Sequence, residues 1–229
     1  MIVAQRKPFQ EIMNSIREYE KILTVGCGTC VAVCLAGGAQ EVSTLNWELS
    51  AASDLQNQPR ELGAATVTRQ CDHEFLQELD SLVPEYEALL SMACGVGIQF
   101  LAERYPDKPV LPAVDTSGMA GNRDVGWYEE RCKGCGRCVL AYTAGVCPVT
   151  MCAKGLLNGP CGGTNGRYCE TNPDQPCAWH TIYHRLSRQG RLKDILKYQP
   201  PQEWSNQVPR TIVQPGYGHQ QKNEGAETA

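Results

Sequence analysis

Apolar and polar positions in the first half of the chain follow the periods of alternating helices and strands. Apolar residues recur every three or four positions over residues 8–20, which predicts an amphipathic helix. The apolar run at residues 22–25 predicts a buried strand, and a helix carrying Cys30 and Cys34 on one face can start after it. Gly37 and Gly38 are expected to break that helix or to allow a close backbone approach.

The same alternation continues as far as residue 114. Helical patterns cover residues 40–55 and a segment after the plausible N-cap Asp72 that runs to about Leu82. A third helix is predicted after the turn formed by residues 94–97, and it runs to Tyr105. Strands are predicted at residues 64–68, 87–93 and 109–114. This order is typical of βαβ units, so the predicted fold class is α/β, with a small Rossmann-like parallel sheet.

Cysteine is the residue that changes this picture, since 13 of the 229 residues are cysteine. Eight of them follow the predicted sheet, namely Cys132, Cys135, Cys138, Cys147, Cys152, Cys161, Cys169 and Cys177. C-x2-C-x2-C followed by C-P is the pattern with which bacterial ferredoxins hold [4Fe–4S] clusters, although eight residues stand here where that run has three. The pattern predicts a metal-organised, ferredoxin-like module with two [4Fe–4S] clusters.

Structural zinc sites and disulfides are the two alternative uses of these cysteines. Four-thiolate zinc sites also favour C-x2-C pairs, and zinc stays open at one site, particularly among the later cysteines. Disulfides belong to oxidising compartments, and the N-terminus has no apolar signal region, so a cytoplasmic location is expected. A cysteine excess in a reducing compartment most often indicates metal.

The distribution of the eight cysteines between two clusters is open. In two-cluster ferredoxins the cysteine of C-P ligates the other cluster. By that analogy the three cysteines of the C-x2-C-x2-C run share a cluster with Cys177, and Cys147 joins Cys152, Cys161 and Cys169. The alternative is sequential ligation, in which Cys147 completes the first set.

A further site is predicted at the sheet. Cys27, Cys71 and Cys94 each follow a predicted strand, and the carboxyl ends of parallel strands share one edge where ligands bind. Cys27, Cys30 and Cys34 would hold one cluster, with Cys94 favoured over Cys71 as the fourth ligand. Dinucleotide binding is a weaker alternative because VGCGTC is not G-x-G-x-x-G.

Composition limits the remaining functions and organisation. A net charge of −4 gives no electrostatic basis for nucleic-acid binding. No apolar run approaches the ~18 residues of a membrane span. The expected divisions are a Rossmann-like domain at residues 1–120, a cysteine-rich module at 121–200 and an extended tail at 201–229. Residues 115–123 are expected to be a polar, glycine-rich linker.

The C-terminal part carries one helical pattern and a proline-rich end. A helix is expected from Trp179 to about Gln189, with a short one through Leu192. It places His180 and His184 on one side, a spacing that can bind metal but more commonly belongs to solvated histidines. The tail from Tyr198 could wrap a partner or its own domain, anchored by Trp204 and the apolar pair at residues 212–213.

Several motifs give the chain a resemblance to a known family. GLLNGPCGGTNGRYCE, CAWHTIYHRL and PP-x-x-WS, together with the earlier GCGTCVAVCLAGGAQEV and CGVGIQ, resemble the small cysteine-rich subunit of the two-subunit methylenetetrahydrofolate reductases of anaerobic bacteria. The same family is also met as a C-terminal extension of some reductases. The resemblance covers nearly the whole chain, and NGPCGGTNGRYCE is its most specific motif.

The resemblance implies an electron-transfer partner of a flavin-bearing catalytic subunit that reduces methylene- to methyl-tetrahydrofolate. The flavin is expected only on that partner, and the donor would be ferredoxin or another electron-donor subunit. The residues show cluster ligands but no evident general acid/base constellation, so the chain itself is expected to be non-catalytic. The alternative is a zinc-binding structural scaffold of the same reductase.

Overall fold

A computed structural model describes residues 1–215 of the chain. The chain divides into two units, Met1–Arg131 and Cys132–Ala229. Each unit has a hydrophobic core of its own.

The first unit contains seven strands and five helices among its described residues. In chain order they are β1 (Ile2–Arg6), α1 (Phe9–Ser15), β2 (Lys21–Cys27), α2 (Cys30–Val33), α3 (Ala39–Leu55), β3 (Glu61–Val67), α4 (His73–Leu76), β4 (Ala88–Ser91), α5 (Gly95–Arg104), β5 (Val110–Pro112), β6 (Val114–Asp124) and β7 (Trp127–Glu130). Two 3₁₀ turns, Gln77–Leu79 and Val83–Glu85, connect α4 to β4.

The predicted parallel sheet is confirmed. Its strand order is β3-β2-β4-β5 and every pairing is parallel. Side chains of β2 pack on both faces of the sheet. Ile22 packs in a core with α1 and α3, whereas Leu23 and Val25 pack in a core with α4 and α5. Helices on both faces bury a parallel strand completely, which explains its continuous apolar sequence.

Two helices are shorter than predicted. The first was expected to reach residue 20, but α1 ends at Ser15, with the fully buried Ile16 following it. The helix after Asp72 has only four residues before the 3₁₀ turns begin. Asp72 is nevertheless the N-cap, and its carboxylate accepts a hydrogen bond from the Glu74 N–H, as predicted.

The prediction of a polar linker at residues 115–123 is wrong. These residues lie in β6, which pairs antiparallel with β1 on one side and with β7 on the other. Only Val114 and Ala120 of this strand are buried, so it lacks the apolar alternation by which strands are recognised. Backbone pairing determines this sheet, and β1 was not predicted for the same reason.

The second unit has less regular structure in its described part. Its elements are α6 (Pro148–Met151), β8 (Thr164–Asn165), β9 (Tyr168–Cys169), β10 (Asn172–Pro176), α7 (Ala178–Arg188) and the 3₁₀ turns Leu192–Leu196 and Ser205–Gln207. The three strands form one antiparallel sheet in the order β10-β9-β8.

Helix α7 organises the core of this unit and agrees closely with its prediction. Ile182 and Leu186 are fully buried, and Trp179 donates a hydrogen bond from Nε1 to the Leu156 carbonyl at 2.9 Å. Most of the predicted tail from Tyr198 lies within the described residues, but residues 216–229 lie outside them. None of the helices in the described part of the chain has the length and apolar character needed to cross a membrane.

Candidate metal centres

Three of the predicted cysteine ligands lie together at the carboxyl edge of the parallel sheet. Cys27 is the last residue of β2, Cys71 follows β3, and Cys94 is the N-cap residue of α5. Partial desolvation raises the pKa of the Cys71 thiol, and the neighbouring Cys27 and Cys94 raise it further. The Cys27 sulfur is buried within 3.6 Å of the Thr29 hydroxyl.

Cys30 and Cys34 lie at the two ends of α2. The Cys34 sulfur lies 3.4 Å from the Ile2 carbonyl oxygen of β1. Burial raises the pKa of the Cys34 thiol, and the neighbouring Cys30 also raises it. The i, i+4 pair therefore lies together as predicted, but its second sulfur is directed to β1. That Cys94, rather than Cys71, completes a set of ligands with Cys27 and this pair stays a prediction.

Sequence reasoning missed the buried side chain that supports this sheet edge. Gln70 is fully buried and donates from Nε2 to the Val25 carbonyl at 2.8 Å and the Gly26 carbonyl at 3.1 Å. Its Oε1 accepts a hydrogen bond from the Ser91 hydroxyl at 2.7 Å. The network fixes the backbone next to Cys71 against β2 and β4. The one feature of the sequence that could have indicated this network is the position of Gln70 directly before the candidate ligand Cys71.

Gly37 provides the close backbone approach that was predicted. A Cβ atom at this position would lie 1.8 Å from the Met92 carbonyl oxygen. The Gly37 carbonyl also accepts a hydrogen bond from the Cys27 N–H at 2.9 Å. Glycine at this position therefore lets the loop after α2 hold the backbone of Cys27.

In the second unit, four of the eight cysteines line one cavity of about 370 Å³. They are Cys152, Cys161, Cys169 and Cys177. Much of the remaining wall is apolar and includes Trp179, Tyr183, Leu192 and Ile195. Cysteine is a donor type for soft metals and iron–sulfur clusters, so this cavity is the candidate centre of the second unit.

Polar groups contact the sulfur atoms of two cysteines that line this cavity, Cys161 and Cys169. The Cys169 sulfur lies 3.2 Å from the Thr171 hydroxyl, and hydrogen bonding by Thr171 lowers the pKa of the Cys169 thiol. The Cys161 sulfur accepts hydrogen bonds from the Gly163 N–H at 3.3 Å and from the Lys154 ammonium at 3.7 Å. Lys154 is also paired with Glu170, which raises the pKa of the lysine and keeps it charged. Thiolates are the forms that bind metals.

The C-x2-C-x2-C loop, residues 132–138, carries its own polar contacts. The Cys132 sulfur accepts a hydrogen bond from the Gly134 N–H at 3.3 Å. The Cys135 sulfur lies 3.6 Å from the Arg137 carbonyl and 3.8 Å from Nε2 of Gln202. Cys138 is exposed, and Cys147 is the N-cap residue of α6.

The thirteen thiols fit iron–sulfur or zinc chemistry by donor type, because soft thiolates select these metals. Their arrangement is less complete. Within residues 1–215, no three or more side chains of His, Cys, Asp or Glu form a ready set of ligands around one point. Binding of a metal or cluster would therefore require local movement of the loops that carry the cysteines, as expected where metal binding is coupled to folding.

His180 and His184 are neighbours on α7, as their spacing predicts. Their Nε2 atoms are 3.1 Å apart and their ring centroids 4.3 Å apart. Desolvation lowers the pKa of His180, and the neighbouring His184 and Arg167 lower it further. That these are solvated histidines rather than metal ligands stays a prediction.

These features define a chain with an α/β unit and a separate cysteine-rich unit. Residues 111–205 match the model of a protein family described as methylene-tetrahydrofolate reductase C terminal. That segment contains all eight later cysteines and the four-cysteine cavity, and it is thereby related to methylenetetrahydrofolate reductases. No curated protein and no solved structure matches the chain.

Proposed function

We propose that the chain is an iron–sulfur electron-transfer subunit of a methylenetetrahydrofolate reductase. The observation that carries this proposal is the cavity lined by four cysteine residues within the segment related to that reductase. When bound, iron–sulfur clusters supply one-electron transfer. A reductase that works through a flavin needs electrons delivered to that flavin, and this chain would deliver them.

The cavity also favours one distribution of ligands. Cys177 lines it together with Cys152, Cys161 and Cys169, so these four form the natural set. Cys147 would then join the C-x2-C-x2-C loop in sequential ligation. This differs from the ferredoxin-type crossing predicted from the sequence, and both arrangements can be tested.

The chain's own residues would prepare this cavity for a charged thiolate centre. Lys154 and the Gly163 N–H donate hydrogen bonds to the Cys161 sulfur, and Thr171 favours the Cys169 thiolate. The apolar part of the wall, which includes Trp179 and Ile195, would restrict water there. Hydrogen bonds to sulfur and solvent exposure are two of the properties with which a protein sets a cluster's potential.

The proposed complex has three further parts. Cys27, Cys30 and Cys34, with Cys94 or Cys71, would hold a cluster in the first unit. A flavin-containing methylenetetrahydrofolate reductase subunit would accept the electrons and perform the folate chemistry, and ferredoxin or another donor subunit would supply them. Because thiols persist in a reducing compartment, a cytoplasmic location is part of the proposal.

A zinc-binding scaffold of the same reductase is the second candidate. The observation in its favour is the same set of four thiols, since four cysteines suit a tetrahedral structural zinc site. Zinc has no visible absorption band, so the two candidates differ in spectrum as well as in metal content.

Anaerobic purification of the full chain tests the proposal. Iron, acid-labile sulfide and zinc are measured together with the visible spectrum, and Cys161→Ser is expected to remove about four iron atoms per chain. Ser187→Ala on α7 is the matched control, because Ser187 is exposed and is not among the residues that line the cavity. Stoichiometric zinc with no iron and no visible band would establish the scaffold instead.

Association with the reductase is tested separately by co-purification. We expect the chain to bind a flavin-containing subunit, with an interface of at least about 1,000 Å² if the complex is stable. A chain that reduces methylenetetrahydrofolate without any flavoprotein would contradict the assignment of the catalytic step to a partner.

A further inference from the structure

A proline-containing segment of the second unit lies against the C-x2-C-x2-C loop. The segment consists of residues 199–207 and is named the strap here. The guanidinium group of Arg137 donates hydrogen bonds to the carbonyl oxygens of Pro200 at 3.2 Å and Pro201 at 3.3 Å. Proline has no N–H, so these carbonyls are the backbone hydrogen-bonding groups that the two prolines offer, and both are directed to the loop.

One strap side chain reaches a candidate ligand directly. Nε2 of Gln202 lies 3.8 Å from the Cys135 sulfur and 3.3 Å from the Arg137 carbonyl oxygen. Gln202 and Cys135 are both half-buried, so their contact is partly shielded from water. The amide N–H is a donor, and a thiolate sulfur is an acceptor for it.

The end of the strap holds the same loop from a second side. The Asn206 carboxamide donates to the Gly134 carbonyl, and the Gln207 carboxamide donates to the Lys133 carbonyl at 3.5 Å. A Cβ atom on Gly136 would lie 3.2 Å from Nδ2 of Asn206, and Gly136 has a φ of +79°. The strap therefore packs closely against a turn that requires glycine.

The start of the strap is tied to a different loop. The Asn158 carboxamide donates to the Gln199 carbonyl at 2.8 Å, and the Gln199 N–H donates back to Oδ1 of Asn158 at 2.7 Å. This reciprocal pair fixes the strap before it reaches the cysteines. The strap is thus held at both ends by side-chain amides, and Gln202 lies between them.

We propose that the strap covers the C-x2-C-x2-C loop and that Gln202 is a positioning residue whose N–H supports the Cys135 sulfur. This deepens the proposed function and rests on it, since the centre affected is the one that Cys132, Cys135 and Cys138 would hold. A donated N–H stabilises negative charge on sulfur, and hydrogen bonds to cluster sulfurs are among the factors that set a cluster's potential.

The first experiment measures how accessible Cys135 is to a reagent in the full-length chain prepared without metal. Cys135 is labelled with a bulky maleimide, and its rate is followed by mass spectrometry in the wild type, Gln202→Ala and Asn206→Ala. We expect Cys135 to react several-fold faster in Asn206→Ala, which weakens the cover and leaves the Gln202 donor in place, while Cys169 reacts at an unchanged rate. The rise should be smaller in Gln202→Ala, because loss of the N–H donor also disfavours the reactive thiolate. Glu203→Ala, at an exposed strap position, is the matched control and should leave Cys135 unchanged. An unchanged Cys135 rate in Asn206→Ala overturns the proposal that the strap covers the loop.

The second experiment measures the reduction potential of the iron-loaded chain by an EPR-monitored titration. Gln202→Met keeps the length of the side chain and removes the donor, so the potential of one centre should become more negative, whereas Glu203→Ala should not change it. An unchanged potential in Gln202→Met overturns the role of Gln202. If the wild type binds no iron, the proposed function fails, and the labelling experiment still decides whether the strap covers Cys135.

Discussion

The Gln70 carboxamide accepts a hydrogen bond from the Ser91 hydroxyl at 2.7 Å while donating to the Val25 carbonyl at 2.8 Å. Both side chains are fully buried. Ser91 ends β4 and Val25 lies in β2, so a single side chain joins the ends of two neighbouring strands. Because the candidate ligands Cys27, Cys71 and Cys94 lie just beyond these points, the bridge determines how well that edge is ordered.

Replacement of Gln70 by leucine should destabilise the first unit by about 1–3 kcal/mol, because buried carbonyl groups would lose their donor. Hydrogen exchange of β2 and β4 measures this effect within the unit itself. Gln99→Leu is the matched control, since Gln99 donates only to the Gly95 carbonyl at an exposed position. Equal exchange rates in the two variants would contradict a structural role for Gln70.

Gly37→Ala should prevent the first unit from folding, because the added Cβ would overlap the Met92 carbonyl oxygen. We expect the free energy of unfolding to fall by more than about 4 kcal/mol. Gly28→Ala is the control in the same region, where the nearest atom to a Cβ is 3.5 Å away. Circular dichroism and hydrogen exchange should show a native first unit in Gly28→Ala only. A folded Gly37→Ala would mean that the loop after α2 can move away from β4.

The parallel sheet could be predicted from sequence because burial on both faces requires apolar residues, as in residues 22–25 of β2. The sheet of β1, β6 and β7 could not, because its backbone groups pair while most of its side chains face water. Cysteine spacing located the candidate ligands, but not which of them share a cavity. That grouping depends on residues 152–177, whose short strands and loops have no apolar periodicity in the sequence.

The contacts of two polar side chains could not be predicted from the sequence either. Gln70 and Gln202 are ordinary amides in the sequence, and only the folded chain places one against strand carbonyls and the other against a sulfur. The quoted motif PP-x-x-WS contains Gln202 at its first variable position, so the motif indicated the segment without indicating its contact.

Stability of the first unit should fall as pH rises between about 10 and 12 because of Tyr105. Desolvation and a hydrogen bond to Asp80 raise the pKa of Tyr105 to about 12, while an unfolded tyrosine titrates near 10. The folded state therefore keeps its proton longer, and the stabilisation present below pH 10 is lost as pH rises through the folded pKa. Hydrogen exchange of α5, which begins beside Cys94, measures this loss.

Tyr105→Phe is the control for that pH dependence. It removes the ionisable hydroxyl, whose oxygen also lies 2.9 Å from the Leu76 carbonyl oxygen. The variant should therefore be less stable at neutral pH but have a flatter stability profile above pH 10. An equally steep decline in Tyr105→Phe would assign the alkaline loss to other groups.

The distribution of the eight later cysteines gives the most direct test of the second unit. Because Cys177 lines the same cavity as Cys161, Cys177→Ser and Cys161→Ser should remove the same EPR signal from the fully reduced, iron-loaded chain. Cys147→Ser should instead remove the signal lost in Cys135→Ser. Iron analysis should show a loss of about four atoms in each variant. If Cys177→Ser pairs with Cys135→Ser, and Cys147→Ser with Cys161→Ser, ligation is crossed as in two-cluster ferredoxins, and the cavity is shared by thiols of two centres.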